Sequence, residues 1–228
     1  MFKSKEKGLL IVISGPSGAG KGTIVNELLK QEENLWLSIS MTSRLPRENE
    51  KNGKDYYFVT KQEFEEKINQ NELLEYAIVH HNMYYGTPKA HIEEKINKGI
   101  DVILEIDIQG ALKIKEKIKE SIFIFILPPS MEELKKRLIN RATESEEKIM
   151  ERFQTAYNEI NHMTKYNYVV INDHIKDAVN KVKSIISAEK CRVDRIEEVY
   201  LNSKAEHLHE SLIDKEFENK EFAIDKEK

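Results

Sequence analysis

Apolar positions along this 228-residue chain follow two patterns. At residues 9–13, 100–106, 122–127 and 168–172 they run almost without interruption (LLIVI, IDVILEI, IFIFIL, YVVIN) and favour β-branched side chains, as short strands buried on both faces do. Elsewhere they recur at helical spacing. Ile24, Val25, Leu28 and Leu29 follow the first strand, and the same spacing predicts helices over 61–69, from Pro88 to the breaker Gly99, over 109–119, after the cap Pro128-Pro129-Ser130, around Arg152 and over 175–190. Weaker strand signals lie at 35–40, at 56–59 behind an Asn52-Gly53 turn, and at 73–79. Strands alternating with helices predict an α/β fold. From 206 to 228, alternating charges with scattered apolar residues predict a partly ordered helix or a frayed end. No internal repeat is visible.

The first strand runs into GPSGAGKGT, which meets the pattern G-x-x-x-x-G-K at Gly15, Gly20 and Lys21. Lacking a Cβ, Gly15, Gly18 and Gly20 permit positive φ and let backbone N–H groups turn onto phosphate oxygens. The following helix brings its positive end to the same spot, and Lys21 adds a point charge. Residues Gly15, Pro16, Ser17, Gly18, Ala19, Gly20, Lys21, Gly22 and Thr23 are therefore expected to cradle a polyphosphate. Gly22 stands where Ser or Thr usually holds Mg²⁺, so the hydroxyl of Thr23 comes one residue late. Asp107 ends the 100–106 strand, and ligands of open α/β sheets bind at such carboxyl ends. It is the acid expected to serve the metal, with a helix N-cap as its alternative role.

Two groups of arginines add to this chemistry. Arg44 and Arg47 flank Pro46 in a rigid basic corner, and arginine suits bidentate phosphate recognition. Arg137 and Arg141 lie four apart on one helix face, and Arg152 follows a break at 142–144. Three arginines around a polar hairpin read as a mobile lid or as a merely solvated helix-turn-helix, and spacing alone does not choose between them.

Composition changes the picture little. The chain is 33% charged and 39% hydrophobic, without an apolar run near the roughly 20 residues of a membrane helix, so a soluble cytoplasmic protein is expected. A lone Cys191 excludes an internal disulfide. Twelve of the 40 acidic and eight of the 36 basic residues follow residue 188, which leaves a neutral body and an acidic tail. Neither has the basic footprint of a nucleic-acid binder. The histidine pairs His80-His81 and His207/His209 lack further convergent ligands.

In order, the segments GPSGAGKGT, SISMTSRLPR, NGKDYYFV, LLEYA, YYGT, EIDIQG and PPSMEELKKRLINRATE resemble the guanylate kinase family, and the likeness spans nearly the whole chain to about residue 200. The resemblance implies a P-loop kinase core with a mostly parallel sheet flanked by helices (1–34, 88–136, 165–205), a GMP-binding α+β insertion (35–87), a helical lid (137–164) and an acidic tail (206–228). It implies transfer of the γ-phosphoryl group of ATP to GMP, and to dGMP, with Mg²⁺, by a monomer or homodimer that needs neither nucleic acid nor membrane. Ser40, Arg44, Arg47, Tyr56, Glu75, Tyr85, Gly86, Thr87 and Glu105 match positions around GMP. Arg137, Arg141 and Arg152 match positions that close over the phosphates, and Asn172 one towards the adenosine. Lys21 and Arg44 join the three lid arginines as the expected catalytic set.

The chain departs from the family pattern in three places: Glu105 where Asp is common, one extra residue within 80–85, and Ala142 for a glycine. The chemistry suits guanine, whose N1–H and amino group donate to carboxylates such as Glu75 and Glu105, while hydroxyls of Ser40 or Thr87 can donate to O6. Rival readings are an inactive kinase-like scaffold that binds proteins, another nucleoside monophosphate kinase, and a GTPase. The intact phosphate loop opposes the first, and the basic corner with Glu75 favours GMP over AMP. The GTPase motif N-K-x-D is missed by one residue at Asn97-Lys98-Gly99-Ile100-Asp101.

Overall fold

The computed structural model describes residues 2–4, 7–79, 83–141 and 146–199. The expectations for the break at 142–144, for the extra residue within 80–85 where it falls on 80–82, and for the tail at 206–228 lie outside the described residues.

In chain order the elements are β1 (Phe2–Ser4), β2 (Leu10–Ser14), α1 (Lys21–Gln31), β3 (Leu35–Leu37), β4 (Met41–Thr42), β5 (Tyr57–Phe58), α2 (Lys61–Asn69), β6 (Leu73–Val79), β7 (Met83–Pro88), α3 (Lys89–Asn97) and β8 (Asp101–Glu105). There follow α4 (Ile108–Lys117), β9 (Ile122–Leu127), α5 (Met131–Arg141), α6 (Glu146–Ile160), a 3-10 turn (Asn161–Lys165), β10 (Tyr168–Ile171), α7 (Ile175–Lys190), a second 3-10 turn (Val193–Arg195) and β11 (Ile196–Val199).

Five strands form a parallel sheet in the order β10-β9-β2-β8-β3. Side chains of a strand alternate between faces, and the cores follow that alternation. Ile11 and Ile13 pack with Ile24 and Leu28 of α1 and with Val179 and Val182 of α7. Leu10 and Val12 face the other way, towards Ile114 of α4 and Phe123. Burial on both faces is why these strands read as continuous apolar runs.

A second, four-stranded sheet runs β5-β4-β7-β6, with β7 antiparallel to both neighbours. Its small core centres on Phe64, carried by α2, with Met41 and Leu73. A capping box starts α2: the Thr60 hydroxyl accepts from the Glu63 N–H, while the Glu63 carboxylate accepts from the Thr60 N–H. The 35–40 stretch does not form one strand. Residues 35–37 pair with β8 in the core sheet, so the smaller sheet starts only at Met41, later than the insertion boundary at 35.

The α5–α6 pair is less polar than its arginines imply. Leu134, Leu138 and Ala156 form a buried seam with Met131, Ile149 and Phe153. Two compact units divide the chain at residues 6–187 and at 1–5 with 188–228. In the smaller unit β1 pairs antiparallel with β11, and buried Glu189 forms ion pairs with Arg192 at 3.3 Å and Arg195 at 3.1 Å.

Candidate active site

Between β2 and α1 the chain makes the glycine-rich turn where the sequence places it. At Gly15 φ is +142°, and a Cβ there would sit 2.2 Å from the Ile126 carbonyl oxygen. At Gly20, the N-cap of α1, φ is +91° and a Cβ would meet Asn172 Nδ2 at 2.3 Å. No other residue type fits either position. The Lys21 ammonium reaches back across the loop to the carbonyl oxygens of Gly15 and, at 3.2 Å, Pro16.

A cleft of about 660 Å³ opens from this loop, within the roughly 300–1,000 Å³ of small-molecule sites. Gly15, Ser17 and Lys21 form one end. Ser40, Arg44, Arg47, Tyr56, Glu75, Tyr85 and Gly86 line it from the small sheet and its loops, and Glu105 and Asp107 from the end of β8.

Glu75, on β6, is buried, and its Oε1 accepts a 2.7 Å hydrogen bond from the Thr87 hydroxyl on β7. Burial pushes its carboxyl up to about 7 against that hydrogen bond. Arg44 donates through Nε to the Tyr85 hydroxyl at 3.1 Å and lies over the Tyr56 ring, 5.0 Å from its centroid. Because Tyr85 accepts from Arg44, its own proton can be donated into the cleft. Burial raises the Tyr56 phenol, so it also remains a donor.

The helical pair reaches the same loop. Arg152 of α6 donates to the Ser17 hydroxyl at 2.9 Å. Arg137 of α5 donates to Glu133 at 2.9 Å and to the Asn172 carbonyl at 3.1 Å, and lines a second cleft with Gly18, Gly20, Thr23 and Asn172. The Arg141 side chain is not among the described ones.

A family model described as guanylate kinase matches residues 7–189. A guanylate kinase of Clostridium tetani is 64% identical over 209 residues, covering 92% of this chain and all of the relative. One from Clostridium acetobutylicum is 60% identical, over 92% of this chain and 99% of the relative. The crystal structure of guanylate kinase from Anaplasma phagocytophilum superposes with a TM-score of 0.71 at 36% identity, covering 85% of this chain and 92% of that one. The chain belongs to the guanylate kinase family.

In this guanylate kinase, several side chains do other work than the sequence implies. The Thr87 proton goes to Glu75, and of the two expected hydroxyls Ser40 is the one that lines the cleft. Gly86 serves packing as well as the cleft, since a Cβ there would lie 2.9 Å from the Phe64 ring and from the Glu75 carbonyl oxygen. Asn172 is buried, and its amide donates to the Ala19 carbonyl at 2.8 Å, bracing the phosphate loop from behind. Sequence reading missed Glu50, Gly110 and, on α6, Thr155, Asn158 and Glu159, all of which line the cleft. No local motif marks them.

The metal assignment changes too. Asp107 is the N-cap of α4, accepting from the Gly110 N–H at 2.8 Å, and faces the first cleft, whereas Thr23 is exposed and lines the second. One residue along a helix is a rotation of about 100°, which is why Thr23 cannot replace a hydroxyl at Gly22. A Cβ on Gly22 would instead stand 3.4 Å from a carboxylate oxygen of Glu105. Among the described residues no three His, Cys, Asp or Glu side chains are grouped to hold a metal ion. Glu105 and Asp107 are the carboxylates that the end of β8 brings to the cleft beside the phosphate loop.

Proposed function

We infer that this chain is a guanylate kinase enzyme that moves the γ-phosphoryl group of ATP to GMP, giving ADP and GDP. The observation that carries the reading is one cleft shared by the phosphate loop, with Lys21, and by the basic corner and buried Glu75. Donor phosphates rest on the loop N–H groups and the N-terminus of α1. The GMP phosphate meets Arg44, Arg47, Tyr56 and Tyr85, and guanine places N1–H and its amino group on Glu75. Alignment and charge compensation are the main demands of phosphoryl transfer. Lys21, Arg137 and Arg152 supply positive charge around the phosphate loop, and Arg141 lies on α5 one turn beyond Arg137. Mg²⁺, when bound with ATP, neutralises charge on the transferring phosphates. The free thiol of Cys191 supports a cytoplasmic setting.

The acid range of the reaction follows from Glu75. Guanine needs the ionised carboxylate, yet burial pushes the carboxyl up to about 7, so below that pH GMP binding must expel a proton. The catalytic efficiency kcat/KM for GMP should therefore rise between about pH 5.5 and 7.5, and part of that slope should vanish in Glu75→Gln. The GMP phosphate itself ionises near pH 6, so the comparison of the two proteins is the diagnostic. The linked stability has the opposite sense: the buried neutral carboxyl is favourable below 4.5, and that contribution is lost as pH rises through 7.

Gly110 backs the same carboxylate. A Cβ on it would lie 2.8 Å from Glu75 Oε2, which must then move. Gly110→Ala should lower kcat/KM for GMP about tenfold or more while the KM for ATP holds. Alanine is the better helix former by about 1 kcal/mol, so the melting temperature should fall little. A large loss of stability with intact GMP turnover would contradict this.

The function itself is tested by a coupled assay of the purified protein with ATP, Mg²⁺ and each nucleoside monophosphate in turn. GMP should be the efficient acceptor. Equal or better turnover of AMP, CMP or UMP would overturn the reading.

A further inference from the structure

We propose that Glu50 is a positioning residue for the GMP phosphate, holding Arg44 as a preset, nearly saturated clamp. The inference rests on the reading of the cleft as a GMP site. The guanidinium of Arg44 has five N–H groups. Nε donates to the Tyr85 hydroxyl at 3.1 Å. Nη1 donates to the Leu45 carbonyl at 2.9 Å and to Glu50 Oε2 at 2.6 Å, and Nη2 donates to Glu50 Oε1 at 2.6 Å. Four of the five are thus engaged, and a single Nη2 N–H is left to give to an incoming phosphate.

The carboxylate that fixes this geometry is itself fixed. Glu50 Oε2 accepts from the Arg47 N–H at 2.8 Å, and the Glu50 N–H donates to the Arg47 carbonyl at 3.0 Å. One carboxylate therefore joins the side chain of Arg44 to the backbone of Arg47 and closes the turn around Pro46. The Arg44 and Glu50 side chains are only 14% and 17% exposed, so solvent screens their fork-on-fork contact poorly. Hydrogen bonds from Arg44 and the Arg47 backbone hold the Glu50 carboxyl down at about 2, so it is charged wherever the enzyme works. The Tyr56 and Phe58 rings, 5.0 Å and 5.5 Å from the guanidinium carbon, confine Arg44 further.

In this arrangement Glu50 does not compete with GMP for the whole fork. It removes the freedom of a long side chain before substrate arrives, which lowers the ordering cost of binding. Arg47, exposed and making no side-chain hydrogen bond among the described residues, then brings the second charge to the phosphate.

The test compares wild type, Glu50→Ala and the shape-preserving Glu50→Gln by steady-state kinetics and by calorimetric binding of GMP and of guanosine, which lacks the phosphate. Glu50→Ala should raise KM and Kd for GMP by about 10–100-fold, the scale of lost charge-assisted hydrogen bonds, with kcat changed much less. Glu50→Gln should fall between wild type and Glu50→Ala. Guanosine affinity and the KM for ATP should hardly move, while the melting temperature should fall in Glu50→Ala, which leaves a largely buried guanidinium without its counter-charge. Tighter GMP binding in either variant would make Glu50 a competitor for the fork and overturn the proposal. Equal losses for GMP and guanosine, or no change for GMP, would overturn it as well. Failure of the wild type to bind GMP would bring down the GMP reading itself, and this inference with it.

Discussion

Lys21→Ala should leave a folded protein whose phosphoryl transfer is slower by at least about a thousandfold, the upper scale for removing one preorganised charge donor. The side chain is only partly buried and belongs to none of the apolar cores, so its loss opens no large cavity. Its ammonium rests on the carbonyl oxygens of Gly15 and Pro16, which holds it across the phosphate loop. Phosphate oxygens exchange with those carbonyls and gain a full positive charge as the transition state develops. Alanine leaves that charge uncompensated, and among the described residues no other lysine lines the cleft to replace it. Single-turnover rates at saturating ATP and GMP, beside a thermal melt, check the prediction. A variant within tenfold of wild type would remove Lys21 from the reaction.

Glu75→Gln should narrow base discrimination by about a hundredfold. Above about pH 7 Glu75 is ionised and accepts from both guanine donors, whereas adenine presents a bare acceptor at N1 and leaves the buried carboxylate unpaired unless it takes up a proton, so the comparison is made at about pH 8 to 9. A site that pairs substrate donors rejects an analogue lacking them by about 10⁴-fold or more, so AMP should be a very poor substrate of the wild type, with IMP between the two. The amide can accept from one donor only and turns its own N–H₂ towards the other. GMP turnover should drop about a hundredfold while AMP changes little, because the buried charge facing adenine is gone. The measurement is kcat/KM for GMP, IMP and AMP in both proteins. An unchanged GMP-to-AMP ratio would move base recognition to Glu105 or Ser40.

The elements that sequence reading locates best are those whose pattern is local. Helix α2 at 61–69, strands β6 and β9 at 73–79 and 122–127, and helix α7 at 175–190 appear with the bounds the periodicity predicts, because an apolar run or a Thr60–Glu63 capping box is visible without knowledge of the partner. The phosphate loop is legible for the same reason: its glycines, lysine and helix start lie within one turn of chain. The strand expected at 35–40 stops at Leu37 and β4 escapes the pattern, because three and two residues are too few for a period to show. Strand β7 read only as an aromatic stretch, since its pairing with both β4 and β6 is a tertiary matter. Pairing of β1 with β11 joins the two ends of the described chain and leaves no trace in either short sequence.

Within the site, residue types were legible and their partners were not. Arg44 and Glu75 stand out by chemistry, but nothing in the spacing says that Glu50 holds the first or that Gly110 makes room for the second. Thr87 gives its proton to Glu75, and Asn172 both lines the second cleft and braces the phosphate loop through Ala19, partners that no spacing announces. Asp107 is a strand-end acid by position and a helix cap by geometry, two roles that one sequence pattern cannot separate.

The central claim, that the cleft joins a polyphosphate donor to GMP as acceptor, is tested most directly by following ATP, Mg²⁺ and GMP with catalytic amounts of the protein by phosphorus NMR. The β-phosphate resonances of ADP and GDP should grow in equal amounts as ATP declines, with no inorganic phosphate and no turnover when GMP is omitted. ADP accompanied by inorganic phosphate instead of GDP, or an unchanged spectrum, would contradict it.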